Sequence, residues 1–165
     1  MSSLVVILMG SGSDREHAEA IASALAKFGI TAELRIGSAH KTPAHALAIL
    51  EHYEADPRPK VYITIAGRSN ALSGFVDAQV SAPVIACPPS SSSFGGADIY
   101  SSLRMPGGVA PAVVLEPANA ALLAAKILAL GDADVKARVV ALQTDNRDKV
   151  LRDDAALQSA RTEEA

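Results

Sequence analysis

The feature that most constrains this chain is its first apolar run. Leu4-Val5-Val6-Ile7-Leu8-Met9 contains no polar residue and stops at Gly10-Ser11-Gly12-Ser13. A strand with one wet face alternates apolar and polar residues. An unbroken run of this length fits a strand covered on both faces, as in a parallel sheet between two helical layers. Beyond it, Ala18, Ile21, Ala22, Leu25 and Phe28 recur at helical spacing, and Gly29 is placed to close the helix. Ser13 and Glu16 have the spacing of a capping box, which predicts a helix starting at Asp14.

The same unit recurs along the chain. Residues 32–36 read as a second strand, with Thr42 as N-cap and Pro43 as first residue of a helix carrying Leu47, Leu50 and Tyr53 on one face. Residues 61–66 read as a third strand, 83–87 as a fourth and 112–115 as a fifth, the last followed by a helix through Leu122, Ala125, Ile127 and Leu130. Strands alternating with helical patterns predict an α/β fold: a three-layer α/β/α sandwich, flavodoxin-like, around a central five-stranded parallel sheet. Residues 1–131 are expected to form the α/β catalytic domain. Residues 132–165 are expected to be a C-terminal helical extension of the same domain. In that extension Val135, Val139, Leu142, Val150 and Leu151 form a thin apolar set suited to packing on another subunit or on the sheet edge, the alternative being a frayed tail.

Composition narrows the function. With 15 Lys+Arg against 18 Asp+Glu the net charge is −3, so no basic field opposes a phosphate backbone and no nucleic-acid partner is expected. One cysteine, Cys87, rules out an internal disulfide framework and fits a reducing compartment. The first residues lack the basic start of a signal peptide, and the run ending at Gly10 is too short to span a membrane. The expectation is a cytoplasmic protein with no membrane partner.

Ligands of open α/β sheets sit beyond the carboxyl ends of the strands. Three loops there are rich in small polar residues: Gly10-Ser11-Gly12-Ser13-Asp14, Ser38-Ala39-His40-Lys41 and Gly67-Arg68-Ser69-Asn70. The first precedes a helix, where free N–H groups and the dipole attract phosphate, yet it is neither a dinucleotide fingerprint nor a Walker motif. Ser13 there reads as a cap, whereas Asp14 suits the two hydroxyls of a ribose. In the second loop His40 can move a proton near neutrality, and Lys41 supplies a cation for a phosphate or carboxylate. His17, His45 and His52 fall on helices at spacings unlike a metal site. In the third loop Gly67 permits close backbone approach, Ser69 and Asn70 offer hydrogen bonds, and Arg68 binds an anion or pairs on the surface. Cys87 ends an apolar strand with no base nearby in sequence and reads as a packed thiol. Ser90-Ser91-Ser92-Ser93-Phe94-Gly95-Gly96 has the composition of a lid, and no G-x-S-x-G elbow is present.

These loops, with Ser38-Ala39-His40-Lys41-Thr42-Pro43 and Ser101-Ser102-Leu103-Arg104-Met105-Pro106, resemble the PurE family of purine biosynthesis over residues 4–130. Its mutase class usually carries Ser-Ala-His-Arg and a second loop histidine. Its carboxylase class carries Ser-Ala-His-Lys and Ala-Gly-Arg-Ser-Asn. Lys41 and Ala66-Gly67-Arg68-Ser69-Asn70 place this chain with the carboxylases, class II. The resemblance implies addition of CO2 to C4 of 5-aminoimidazole ribonucleotide, reversibly, with His40 as proton shuttle. It implies that Ser11, Asp14, Ser38, Lys41, Gly67 and Ser69 bind the ribonucleotide. It further implies no metal, biotin or ATP, and a homo-octamer with sites between subunits. The rivals are the N5-carboxyaminoimidazole ribonucleotide mutase reaction on the same scaffold and a non-catalytic nucleotide-binding module.

Overall fold

The computed structural model describes residues 3–163, with side chains described as far as residue 160. Five parallel strands, β1 (Leu4–Met9), β2 (Thr31–Ile36), β3 (Lys60–Ile65), β4 (Val84–Ala86) and β5 (Ala112–Val113), lie in the order β2-β1-β3-β4-β5. The helices are α1 (Arg15–Ala26), α2 (Pro43–Glu54), α3 (Leu72–Asp77), α4 (Tyr100–Leu103), α5 (Pro117–Leu128) and α6 (Ala133–Glu163). This is the flavodoxin-like sandwich expected from the alternation of strands and helices.

The side-chain period of two explains the purely apolar β1. Val5, Ile7 and Met9 enter a core shared with α1, α5 and the start of α6. Leu4, Val6 and Leu8 enter a second core shared with α2 and α3. All six residues are buried, so a polar side chain at any of them would face a core rather than water. From β1 the chain steps out to β2, then returns to β3 on the other side of β1. The loops leaving β1 and β3 therefore diverge, and a crevice opens between them at the carboxyl edge.

At the edge strand β2, polar residues fasten the sheet to α2. The Tyr53 hydroxyl donates to Glu33 at 2.8 Å, and Arg58 bonds Glu33 at 3.1 Å and Asp56 at 2.6 Å. The Arg35 guanidinium carbon lies 5.7 Å from the centre of the Tyr53 ring. The Tyr53 hydroxyl and Arg58 hold the Glu33 carboxyl below its usual range. Arg58 holds Asp56 down to about 2 from 3.8. Because the folded state favours both ions, this stabilisation is complete above the unfolded carboxyl range near pH 4 and is lost as pH falls toward 2. Thermal melting should thus drop steeply on acidification over that window, and the Asp56→Asn variant should show a shallower drop.

Three local expectations are corrected. The capping box does not form: Ser11 caps a 3-10 turn over Gly12–Asp14, accepting from the Ser13 N–H at 3.2 Å, and the two serine hydroxyls bond each other. The Ser13 hydroxyl is thereby engaged, and α1 starts at Arg15 rather than Asp14. Thr42 does not cap α2 through its side chain; its hydroxyl accepts from the Ser38 N–H at 3.0 Å and closes the loop before it, while Pro43 does occupy the first turn. On α2 the buried face is Ala46, Ile49, Leu50 and Tyr53, with Leu47 at its border. In the tail, Val135 and Val139 are buried and Leu142 packs on the core, but Val150 and Leu151 stand 66% and 61% exposed. Asp132 caps this helix, accepting from the N–H groups of Asp134 and Val135 at 3.1 Å each.

Candidate active site

Each strand-end loop is rooted in the sheet. The Gly10 N–H donates to Ile65 O at 2.9 Å, tying the first loop to β3. The Gly37 N–H donates to Met9 O at 2.9 Å, tying the second to β1. A Cβ on Gly37 would lie 3.2 Å from both Cα and Cβ of Ala46, so α2 packs directly against the root of the His40 loop. Within that loop the Lys41 N–H donates to Ser38 Oγ at 3.1 Å and the Thr42 N–H to Ser38 O at 3.0 Å. The result is a closed turn with His40 and Lys41 exposed at its tip.

The third loop is held from beneath. Asn70 is only 4% exposed. Its N–H donates to Ser101 Oγ at 2.9 Å, its side-chain amide donates to Ser102 Oγ at 2.9 Å, and its carbonyl accepts from the Ser73 N–H at 3.1 Å. The expectation that Asn70 offers hydrogen bonds to a ligand is corrected: its bonding groups are turned inward and engaged. Sequence pattern alone cannot distinguish these uses of an Asn before a helix. The 101–106 motif acts here from behind the loop, through Ser101 and Ser102.

The loops enclose one open cavity of about 640 Å3. Ser11, Asp14, Ser38, His40, Lys41, Gly67 and Ser69, drawn from three loops, all line it. So do Arg68 and the apolar Ala39, Ala66, Leu72 and Pro89. Ser90, Ser91 and Ser93, from the loop after β4, complete the rim. Their signal in sequence is the serine run, whose composition is that of a lid. Asp14 is the one carboxylate in the lining, and Lys41 and Arg68 are its Lys and Arg cations. Hydroxyls, two cations, an imidazole and apolar carbon in one lining suit a small phosphorylated ligand with a flat ring. Among the described residues no three His, Cys, Asp or Glu side chains cluster as a metal site requires. None of the described helices is long and apolar enough to cross a membrane.

Cys87 is fully buried, and its thiol donates to Leu115 O at 3.6 Å. His17 Nε2 approaches its sulfur at 3.3 Å, although it lies 70 positions away in sequence. Burial, with the nearby Glu116 charge, pushes the thiol up to about 12, so no nucleophilic thiolate forms near neutrality. Native protein should give almost no reaction with an aromatic disulfide reagent at pH 8, and one equivalent after unfolding in guanidinium.

Comparison with known proteins gives a consistent result. A family model described as AIR carboxylase matches residues 4–149. A phosphoribosylaminoimidazole carboxylase from Treponema denticola is 60% identical over 157 residues, covering 95% of this chain and 99% of its own. Another, from Archaeoglobus fulgidus, is 57% identical over 152 residues, covering 92% of this chain and 83% of its own. The crystal structure of Treponema denticola PurE superimposes with a TM-score of 0.92 at 61% identity, covering 94% of this chain and 98% of that one.

Proposed function

The chain belongs to the AIR carboxylase family, and from that premise we propose that it is a phosphoribosylaminoimidazole carboxylase of purine biosynthesis, acting in the cytoplasm without a cofactor. The observation that carries the site assignment is that His40, the hydroxyl-rich loop ending at Asp14, and the Gly67-Arg68-Ser69 loop line one cavity. Ser11, Ser38 and Lys41 bind the phosphate, Asp14 takes the ribose hydroxyls, and Gly67 and Ser69 border the ring.

The aminoimidazole ring is an enamine. Its C4 attacks the carbon of CO2, a carbon–carbon bond forms, and one C=O electron pair moves to oxygen to give a carboxylate. C4 then carries both the carboxylate and its original proton. Neutral His40 removes that proton, and the C–H electron pair restores the aromatic ring. In reverse the imidazolium returns the proton and CO2 leaves. Holding CO2 against C4 with water excluded lowers the barrier by positioning, and a fixed cation stabilises the new carboxylate.

Lys41 and Arg68, in the motifs that distinguish the carboxylase class, support direct use of CO2 over the mutase reaction. The test supplies aminoimidazole ribonucleotide with bicarbonate in one arm and the N-carboxylated nucleotide in the other. Rapid conversion of the second without free CO2 would establish a mutase instead. Binding without turnover in either arm would establish a non-catalytic module. A homo-octamer is part of this reading. It is supported by exposed Val150, Leu151 and Leu157 on α6, which offer apolar surface to another subunit, and light scattering of the intact protein measures the subunit number.

A further inference from the structure

Arg68 stands in the left-handed region, at φ +55, where an unbranched but bulky side chain is rarely found. Strained backbone persists where the surroundings enforce it, and it concentrates where a side chain must be aimed. Here the enforcement is visible. Gly67 borders Pro89, whose Cγ would lie 3.4 Å from an added Cβ, and Asn70 is pinned by its three hydrogen bonds. Arg68 lies between these anchors, solvent-exposed, with no ion pair among the described residues.

On the carboxylase reading of this site, the product carries two anions: the phosphate and the new carboxylate. The cavity offers two cations, on different loops. Lys41 belongs to the loop of Ser38, whose hydroxyl accepts from the Lys41 N–H at 3.1 Å. Arg68 belongs to the loop that carries Ala66 and meets Pro89 at Gly67, and both Ala66 and Pro89 give the cavity apolar surface for a flat ring and CO2. A guanidinium fork matches a carboxylate in two parallel hydrogen bonds, whereas an ammonium acts as a point charge. We propose that Arg68 is the carboxylate-binding residue of this enzyme, held in a strained backbone for that purpose, and that Lys41 serves the phosphate.

Binding of aminoimidazole ribonucleotide and of its 4-carboxylated product is measured by calorimetry for the wild type and for Arg68→Gly and Lys41→Ala, together with melting temperature. Arg68→Gly should weaken the carboxylated nucleotide at least tenfold and the uncarboxylated one less than threefold. Its melting temperature should equal or exceed that of the wild type, since glycine fits φ +55 without strain. Lys41→Ala should weaken both nucleotides by one factor. Arg68→Lys should recover only part of the selectivity. Equal weakening of both nucleotides by Arg68→Gly, a carboxylate-selective loss in Lys41→Ala, or a clearly lowered melting temperature in Arg68→Gly would overturn the assignment while leaving carboxylase activity in the wild type intact. A wild type that neither binds nor carboxylates would overturn the functional reading itself, and this assignment with it.

Discussion

The His40→Asn enzyme is expected to carboxylate about a hundred to ten thousand times more slowly than wild type, the range in which a positioned general base usually contributes. That corresponds to about 3–5 kcal/mol of transition-state stabilisation. The loss should fall on kcat. Asn keeps a hydrogen-bonding group at the tip of the Ser38 loop but cannot accept the C4 proton. The loop is closed by Ser38 and Thr42 rather than by the imidazole, so its shape should survive. Nucleotide affinity should stay within about threefold of wild type. Decarboxylation of the product should slow by a similar factor, because the same proton travels back through the same group. A variant with unchanged kcat, or one whose whole defect lies in KM, would remove His40 from the proton-transfer role.

The distance between what the sequence disclosed and what the fold added follows from which interactions are local. β1 was legible because burial on both faces leaves no place for a polar residue, and that demand is written in consecutive positions. The three loops were legible for a related reason: an open parallel sheet delivers every strand's carboxyl end to one edge. The chemistry-bearing residues can then be placed together from the sequence alone. The failures involve hydrogen bonds whose alternatives are close in energy. Ser13 and Thr42 have the right spacing for caps, yet their hydroxyls satisfy neighbouring loop groups instead, and a motif does not reveal which acceptor wins. The His17–Cys87 contact joins α1 to the end of β4, and no spacing rule reaches across 70 residues. The charged tail is helical as its sequence predicts, but the sequence does not divide its apolar residues into those packed on the core and those left exposed.

Asn70 is the point where fold and site are least separable, and its removal should show as both instability and lost activity. In Asn70→Ala, the Ser73 N–H loses its acceptor and the Ser102 hydroxyl loses its donor, both where water does not reach readily. A buried polar group left unpaired costs about 1–3 kcal/mol, so the pair is expected to lower stability by about 2–4 kcal/mol in urea unfolding. The backbone link from Asn70 to Ser101 can survive in principle, but it loses the two side-chain bonds that orient it. The Gly67-Arg68-Ser69 segment then has no reason to keep a left-handed arginine, because strain is retained only while its neighbours outweigh it. Relaxation would move Arg68 and Ser69 away from the ring and carboxylate while His40 and the phosphate loops stay in place. At a temperature where the variant remains folded, kcat/KM should fall about tenfold or more, and affinity should fall further for the carboxylated nucleotide than for the uncarboxylated one. Asn70→Asp retains the acceptor for Ser73 N–H but not the donor to Ser102. It should still lose stability, since it places a carboxylate in a buried position. Full activity and wild-type stability in Asn70→Ala would show that the third loop is held by something other than this buried amide.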